Sequence, residues 1–429
     1  MDVQGRGITP LKSLTLDLPP SCIEFCPSHP DYFVVGTYNL QKEDKDKADA
    51  DMTTEADDEP QQIKKTQTRN GSLVLFKLLN IADIADVKHL QTVLYPSAIL
   101  DLHFHPSRER SSVLAVVSST GTLSFFNLSV LEESSASLKE ITTHKPLGDD
   151  EGVLFLSCLW HPHIPELLAV TTSNYEVHIL RVTDLWDTSK TCDGPVITHT
   201  LEAWTVAFSS LTPTRPIPDE AGSSEENSTK FAVFSGGDDS KLLTTNCVYY
   251  PARNDAEGDF IEASYPPIVF KGHGAGVTAI LPLNLRVSLH DSIVVTGSYD
   301  DYIRVYAFDE HRYGMPPYRP RLLAEQNLQG GVWRLKLIRL ETDTEDIRGE
   351  NQPWKAFILA SCMHAGSRVL EISGGTEPEF CGIKVLGRFE EHKSMNYGSD
   401  FQPGSEVGDR NLRCVSTSFY DKLLCLWEY

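Results

Sequence analysis

Gly272-His273, Val277-Thr-Ala-Ile-Leu281, Ser292-Ile-Val-Val-Thr-Gly-Ser298, Tyr299-Asp300-Asp301 and Tyr302-Ile-Arg-Val-Tyr306 follow one another within a single short stretch. Three of these are apolar runs of strand length, and turn residues divide them. The residues Tyr299-Asp300-Asp301 read as a tight turn. The Asp300 carboxylate is expected to accept hydrogen bonds from the turn backbone and from His273, fixing the corner of the unit.

Aligned on that turn, the same unit recurs along the chain. In chain order, the first carries Phe33-Val-Val-Gly-Thr-Tyr38 and Leu73-Val-Leu-Phe76. The second carries Val113 to Thr120 and Leu123-Ser-Phe-Phe126, and the third Leu168 to Asn174 and Val177-His-Ile-Leu180. The fourth has Phe234-Ser-Gly-Gly-Asp-Asp239, and the quoted stretch is the fifth. The sixth has Leu359-Ala-Ser-Cys-Met-His364, with His364 at the turn Asp position. The seventh has Ser416-Thr-Ser-Phe-Tyr-Asp421 and Leu423-Leu-Cys-Leu-Trp427. Fourth strands are expected at 90–95, 138–143, 196–201, 268–271, 322–327 and 383–389. The seventh unit shows only three strands, and residues 10–18 alternate apolar and polar, so they are expected to supply its fourth. The Gly-His, Ser-x-Asp, apolar-x-aromatic spacing resembles the WD-repeat family. The expected fold is all-β, a seven-bladed WD-repeat β-propeller over residues 1–429, closed by an N-terminal strand. Residues 41–70, 212–229, 249–263 and 341–353 read as loop insertions.

Composition narrows the function classes. The chain carries a formal net charge of −22, which disfavours binding to nucleic-acid phosphates. Part of the excess is local: residues 41–60 hold nine acids against three lysines, and read as an acidic disordered loop. No apolar run is long enough to span a membrane, and the N-terminus lacks the pattern of a signal peptide. A cytoplasmic monomer is expected, without membrane contact. Of the nine cysteines, Cys22, Cys158, Cys362, Cys414 and Cys425 sit in or beside apolar strands and read as small buried hydrophobes. Cys22 and Cys26 have no second pair, so neither a metal site nor a disulfide framework is expected.

No nucleophile elbow, phosphate loop, zinc-helix motif or dinucleotide fingerprint occurs. One constellation stands out. On the face where the loops into first strands meet the second-to-third-strand turns, the repeat places Glu202, Trp204, Asp238, Tyr299, Trp333, Arg334, Met363, His364, Tyr397, Asp400 and Tyr420. Aromatics beside carboxylates suit a cationic ligand, and equally suit a protein interface. Both readings stay open on the residues alone.

Several motifs share a more specific resemblance: Gly36-Thr-Tyr-Asn-Leu40, Ala98-Ile-Leu-Asp-Leu102, Glu202-Ala-Trp204, Ser235-Gly-Gly-Asp-Asp239, Thr296-Gly-Ser-Tyr-Asp300, Gly330-Gly-Val-Trp-Arg334, Ala360-Ser-Cys-Met-His364 and Ser418-Phe-Tyr-Asp421. Taken in order from about residue 20 onward, they look like the WD-repeat diphthine methyl ester hydrolases of diphthamide biosynthesis. Leu243-Thr-Thr-Asn246 departs from the usual Trp-Asp ending, which weakens the repeat signature there. The resemblance implies a protein substrate, translation elongation factor two. Its modified histidine would carry a trimethylammonium and a methyl-esterified carboxyl. It implies a carboxylic ester hydrolase without a cofactor.

On that reading His364 is the candidate general base, acting on water or on Cys362, which shares its side if the strand continues into the turn. The amides of Gly331 and Val332 are candidate oxyanion donors. Trp204, Tyr299 and Trp333 would form the cage with Glu202 or Asp238, and Arg334, Tyr397 and Tyr420 would complete the substrate surface. The alternatives are a turn-capping role for His364, a core role for Cys362, and a non-catalytic scaffold for the whole chain. A zinc-dependent hydrolase is a more distant alternative.

Overall fold

The computed structural model describes residues 5–40, 69–81, 84–132, 135–150, 152–211, 228–253, 258–288, 291–309, 320–342, 353–375, 381–405, 407 and 412–429. They form seven sheets, antiparallel apart from one added edge strand, one sheet for each repeat read in the sequence. The inner strands are Pro20–Phe25, Ile99–Phe104, Phe155–Trp160, Ala203–Phe208, Val277–Arg286, Arg334–Thr342 and Gly398–Phe401. Each inner strand packs against the next, and the seventh against the first, so the ring closes. The fold is the seven-bladed β-propeller expected.

Blade seven closes as the alternation of residues 10–18 implied. Pro10–Thr15 pairs antiparallel with Leu423–Glu428, bringing Leu14 opposite Leu424. The clasp has a further part that the sequence reading did not anticipate. Arg6–Ile8 runs parallel to Gly382–Phe389 on the outer edge of blade six. The N-terminal segment therefore covers two neighbouring blade edges. Covering an edge removes unpaired backbone groups that would template aggregation.

Among the described residues the core consists of seven apolar clusters, one between each pair of neighbouring blades. A blade is thus buried on both faces, which explains why second strands such as Val113–Ser118 and Leu167–Thr172 are apolar throughout rather than alternating. Close packing between blades depends on one repeated glycine position. A Cβ on Gly236 would lie 2.6 Å from Val277, and one on Gly297 2.4 Å from Val332, in each case the residue that opens the next blade's inner wall.

The corner of blade five differs in one detail from expectation. Asp300 accepts from the Gly274 and Tyr302 amides at 2.6 and 3.1 Å, but its side-chain partner is Arg304 at 3.0 Å. His273 bonds Thr296 instead, at 2.9 Å. In blade four His199 does reach the turn carboxylate, Asp239, at 3.0 Å. That assignment leaves the preceding Asp238 free of the corner.

The insertions are shorter than read. Residues 41–68 and 212–227 lie outside the described residues, whereas Arg69 and Thr229 already open strands. Within 249–263, Ile261–Ala263 returns to pair with the third strand of blade four. At the other boundary, Glu341 and Thr342 still belong to the inner strand of blade six, and 343–352 lie outside the described residues.

Candidate functional site

Four of the expected aromatics converge on one end of the ring. Trp333 is the hub: its ring centroid lies 5.5 Å from Trp204, 5.8 Å from Tyr299 and 4.9 Å from Tyr397. Trp204 and Tyr299 meet edge to face at 6.5 Å. The sequence places these rings there for a simple reason. Trp333 and Tyr397 precede the inner strands of blades six and seven, Trp204 is the second residue of that of blade four, and Tyr299 sits in the turn of blade five. All four are half-buried, so the rings are held by one another and still meet solvent.

The cluster continues through two residues missing from the sequence-based site. Phe419 lies 5.5 Å from Tyr397, 5.0 Å from the exposed Tyr420 and 6.0 Å from Tyr38. The signal was available, because Phe419 and Tyr38 occupy the same turn region of their blades as Tyr299 does.

Asp238 joins this group, accepting from the Trp204 indole N–H at 3.3 Å. Gly276 lies between Asp238 and Tyr299; a Cβ there would meet both at 2.9 Å. Glu202 is attached through its backbone, its carbonyl accepting from the Asp238 amide at 2.9 Å. The local field is electronegative. Burial pushes the Tyr299 phenol well above its ordinary value, and Tyr397 and Asp238 push it further. Burial and Tyr420 do the same to Tyr397. Burial, the larger cause, disfavours a new charge of either sign, and only the smaller contribution of the neighbouring acidic groups is directed against an anion.

The six-blade turn separates the two residues read as catalytic partners. The strand Trp354–Ser361 ends before Cys362, and Met363 takes a left-handed φ of 39°. Strand alternation therefore does not carry through. Cys362 points into the apolar cluster between blades five and six, fully buried, and burial pushes its thiol up to about 12. A thiol so held is a poor nucleophile. His364 projects to solvent, and no hydrogen-bond partner for it exists among the described residues. The turn is held instead by Arg368, which donates to the Ala365 carbonyl at 2.6 Å, so His364 is not the cap.

This turn lies against Gly330 and Gly331. A Cβ on Gly330 would come within 2.3 Å of the Cys362 carbonyl oxygen, and one on Gly331 within 2.7 Å of the Met363 sulfur. The expected oxyanion pair is reduced to one: the Val332 amide donates to the Ser298 carbonyl at 2.9 Å. The Gly331 amide has no acceptor among the described residues.

Arg334 is the largest departure from expectation. It turns away from the aromatic rim into the central channel and donates to Asp101 from both terminal nitrogens, at 2.8 and 3.3 Å. Asp400 is also in the channel, 2.9 Å from Lys336. His103 lies 3.0 Å from Glu24 and 3.5 Å from Asp101. Burial alone would push the Asp101 carboxyl up, but the Arg334 and His103 charges outweigh it and hold it at about 2. Burial would likewise lower His103, yet Glu24 and Asp101 raise it to about 9. The signal for this network was a period of two: Glu24, then Asp101 and His103, then Arg334 and Lys336, each alternating with apolar residues on an inner strand.

No protein-family model matches the chain. It is 29% identical to a diphthine methyltransferase of Schizosaccharomyces pombe, over 98% of each chain. The chain is similar to the diphthine methyltransferases over nearly its whole length. A homologue in Dictyostelium discoideum is 26% identical, covering 96% of this chain and 97% of that one. The human diphthine methyltransferase is 25% identical over 92% of this chain and 75% of its own. The sequence motifs and these relatives agree on methyl chemistry at diphthine, with the relatives named methyltransferases where the motifs resemble ester hydrolases. Among solved structures, Chaetomium thermophilum Sqt1, bound to the N-terminus of the ribosomal protein L10, superposes with a TM-score of 0.52 at 13% identity. The match covers 96% of this chain and 97% of that one and shares the fold.

Proposed function

We propose that this chain acts in diphthamide biosynthesis, hydrolysing the methyl ester of the diphthine intermediate on translation elongation factor two. The observation that carries the reading is the Trp333 cluster with Asp238 at its edge. Ring faces and a carboxylate attract a quaternary ammonium, the group this intermediate carries beside its ester.

The chemistry then needs a base and an oxyanion donor. His364, exposed and without a hydrogen-bond partner among the described residues, takes a proton from water, whose oxygen attacks the ester carbonyl. The Gly331 amide donates to the oxyanion. As the tetrahedral intermediate collapses, the carbon–methoxy bond breaks and the methoxy group takes the proton from His364, leaving as methanol. The acid formed loses its proton to solvent. Cys362 has no part in this sequence.

The test is mass spectrometry of the elongation factor bearing the methyl-esterified intermediate, before and after incubation with the purified chain. Loss of one methylene mass from the modified histidine peptide, with release of methanol, is expected. Binding of the factor without mass change would mean a scaffold rather than an esterase.

A further inference from the structure

The central channel holds a cavity of about 420 Å³ whose wall is uneven. Blades six, seven, one and two contribute Arg334, Lys336, Asp400, Glu24 and His103, while the opposite wall is Thr205, Thr278 and aliphatic residues. Arg334 directly follows Trp333, so it stands one residue deeper than the hub of the aromatic cluster. It is therefore the first cation met below the rim. Lys336 is deeper again and is tied to Asp400 at 2.9 Å, with Glu24 at 3.9 Å.

Arg334 is also not saturated. A guanidinium has five N–H donors, and two are bound by Asp101. The others find no acceptor among the described residues. Nearly a quarter of the side chain remains accessible (23%), against 2% for Asp101. Asp101 is in turn fixed by the Leu102 and Cys158 amides at 3.0 and 3.2 Å, so the guanidinium plane is anchored rather than floating. An anchored guanidinium with spare, accessible donors is suited to an oxygen ligand, above all a carboxyl group.

We propose that Arg334, anchored by Asp101, takes the carboxyl end of the ligand whose quaternary ammonium rests on the Trp333 cluster. The site then suits a betaine-type group, which carries a quaternary ammonium and a carboxyl close together: ester before reaction, carboxylate after. This rests on the reading of the cluster as a quaternary-ammonium site. Because Asp101 already neutralises Arg334, the guanidinium offers directed hydrogen bonds more than net charge. It receives the ester carbonyl before reaction and the carboxylate after it. Asp101 acts as a positioning residue, through Arg334 alone.

The proposal is tested by calorimetric titration of the full chain with three probes: choline, glycine betaine and glycine betaine methyl ester. All three should bind the unaltered protein, the latter two more tightly. Arg334→Lys should weaken both betaines about tenfold or more while leaving choline unchanged, as expected for losing directed hydrogen bonds that a lysine cannot reproduce in the same geometry. If that variant misfolds, the pair Arg334→Gln with Asp101→Asn removes both buried charges and should give the same split. Betaine binding indifferent to these changes, or a choline loss equal to the betaine loss, overturns the role of Arg334 while leaving the cation site standing. Failure of choline to bind the unaltered protein overturns the cation reading and this inference with it.

Discussion

Arg334 of blade six and Asp101 of blade two, 233 positions apart in the chain, form a two-pronged ion pair at 2.8 and 3.3 Å across the central channel. Blades seven and one lie between them in the ring. The pair joins two stretches of chain that no local pattern connects, directly below the aromatic rim. Removing either partner leaves a buried charge, which costs several kcal/mol, typically about 3–5. Asp101→Ala is therefore expected to lower the denaturant midpoint clearly. A midpoint within error of the unaltered protein would show that the channel charges are screened by water.

Trp333 touches three of the other rings, so it is the residue whose loss most disorders the aromatic cluster. Trp333→Ala is expected to reduce kcat/KM by about tenfold or more, in keeping with one desolvated cation–π contact of roughly 2 kcal/mol. Trp333→Phe should recover part of it. Steady-state kinetics on the esterified factor provide the check, and equal activity in the two variants would remove ring electronics from the account.

His364 and Cys362 are expected to separate cleanly. His364→Ala should lower kcat by about a hundredfold or more, the usual contribution of a general base, with an unchanged melting curve because the side chain is exposed. Cys362→Ser should do the reverse. It buries a hydroxyl in an apolar cluster and costs about 1–3 kcal/mol of stability, with turnover retained. Full activity in the His364 variant would take it out of the chemistry.

Stability should peak between the two limbs of a pH profile. His103 has its value raised from 6.5 to about 9, so its contribution is complete below 6.5 and lost as pH rises through 9. His273 and His392 are buried and lowered from 6.5 to about 4, so their contribution is present above 6.5 and lost as pH falls towards 4. Urea midpoints measured from pH 4 to 9 should therefore be highest near neutrality. His103→Gln should flatten the alkaline limb only; an alkaline limb that survives the substitution would assign it elsewhere.

Removing residues 1–16 should open the edges of blades six and seven together, since Arg6–Ile8 and Pro10–Thr15 cover them. A lower melting temperature with concentration-dependent light scattering is expected. A truncated protein that stays monomeric with the original melting temperature would show that the clasp is dispensable.

Most of the architecture was written locally. Strand length, turn residues and the alternation of residues 10–18 are short-range patterns, and they predicted seven blades, their order and the closing partner. The rim aromatics were legible for the same reason, because a repeat puts equivalent positions on one face. The fate of the strand-end residues was not. Met363 with its left-handed φ sends Cys362 inward and His364 outward, and a strand pattern carries no mark of where alternation stops. Nor was the pairing in the channel. The charges of Glu24, Asp101, His103, Arg334 and Lys336 are visible in the sequence, but their partners come from blades far apart in the chain. The sequence alone determined the ring and the aromatic face it presents. Only tertiary closure, which brings the inner strands of blades six and two within reach of one side chain, decided that Arg334 leaves the rim for Asp101.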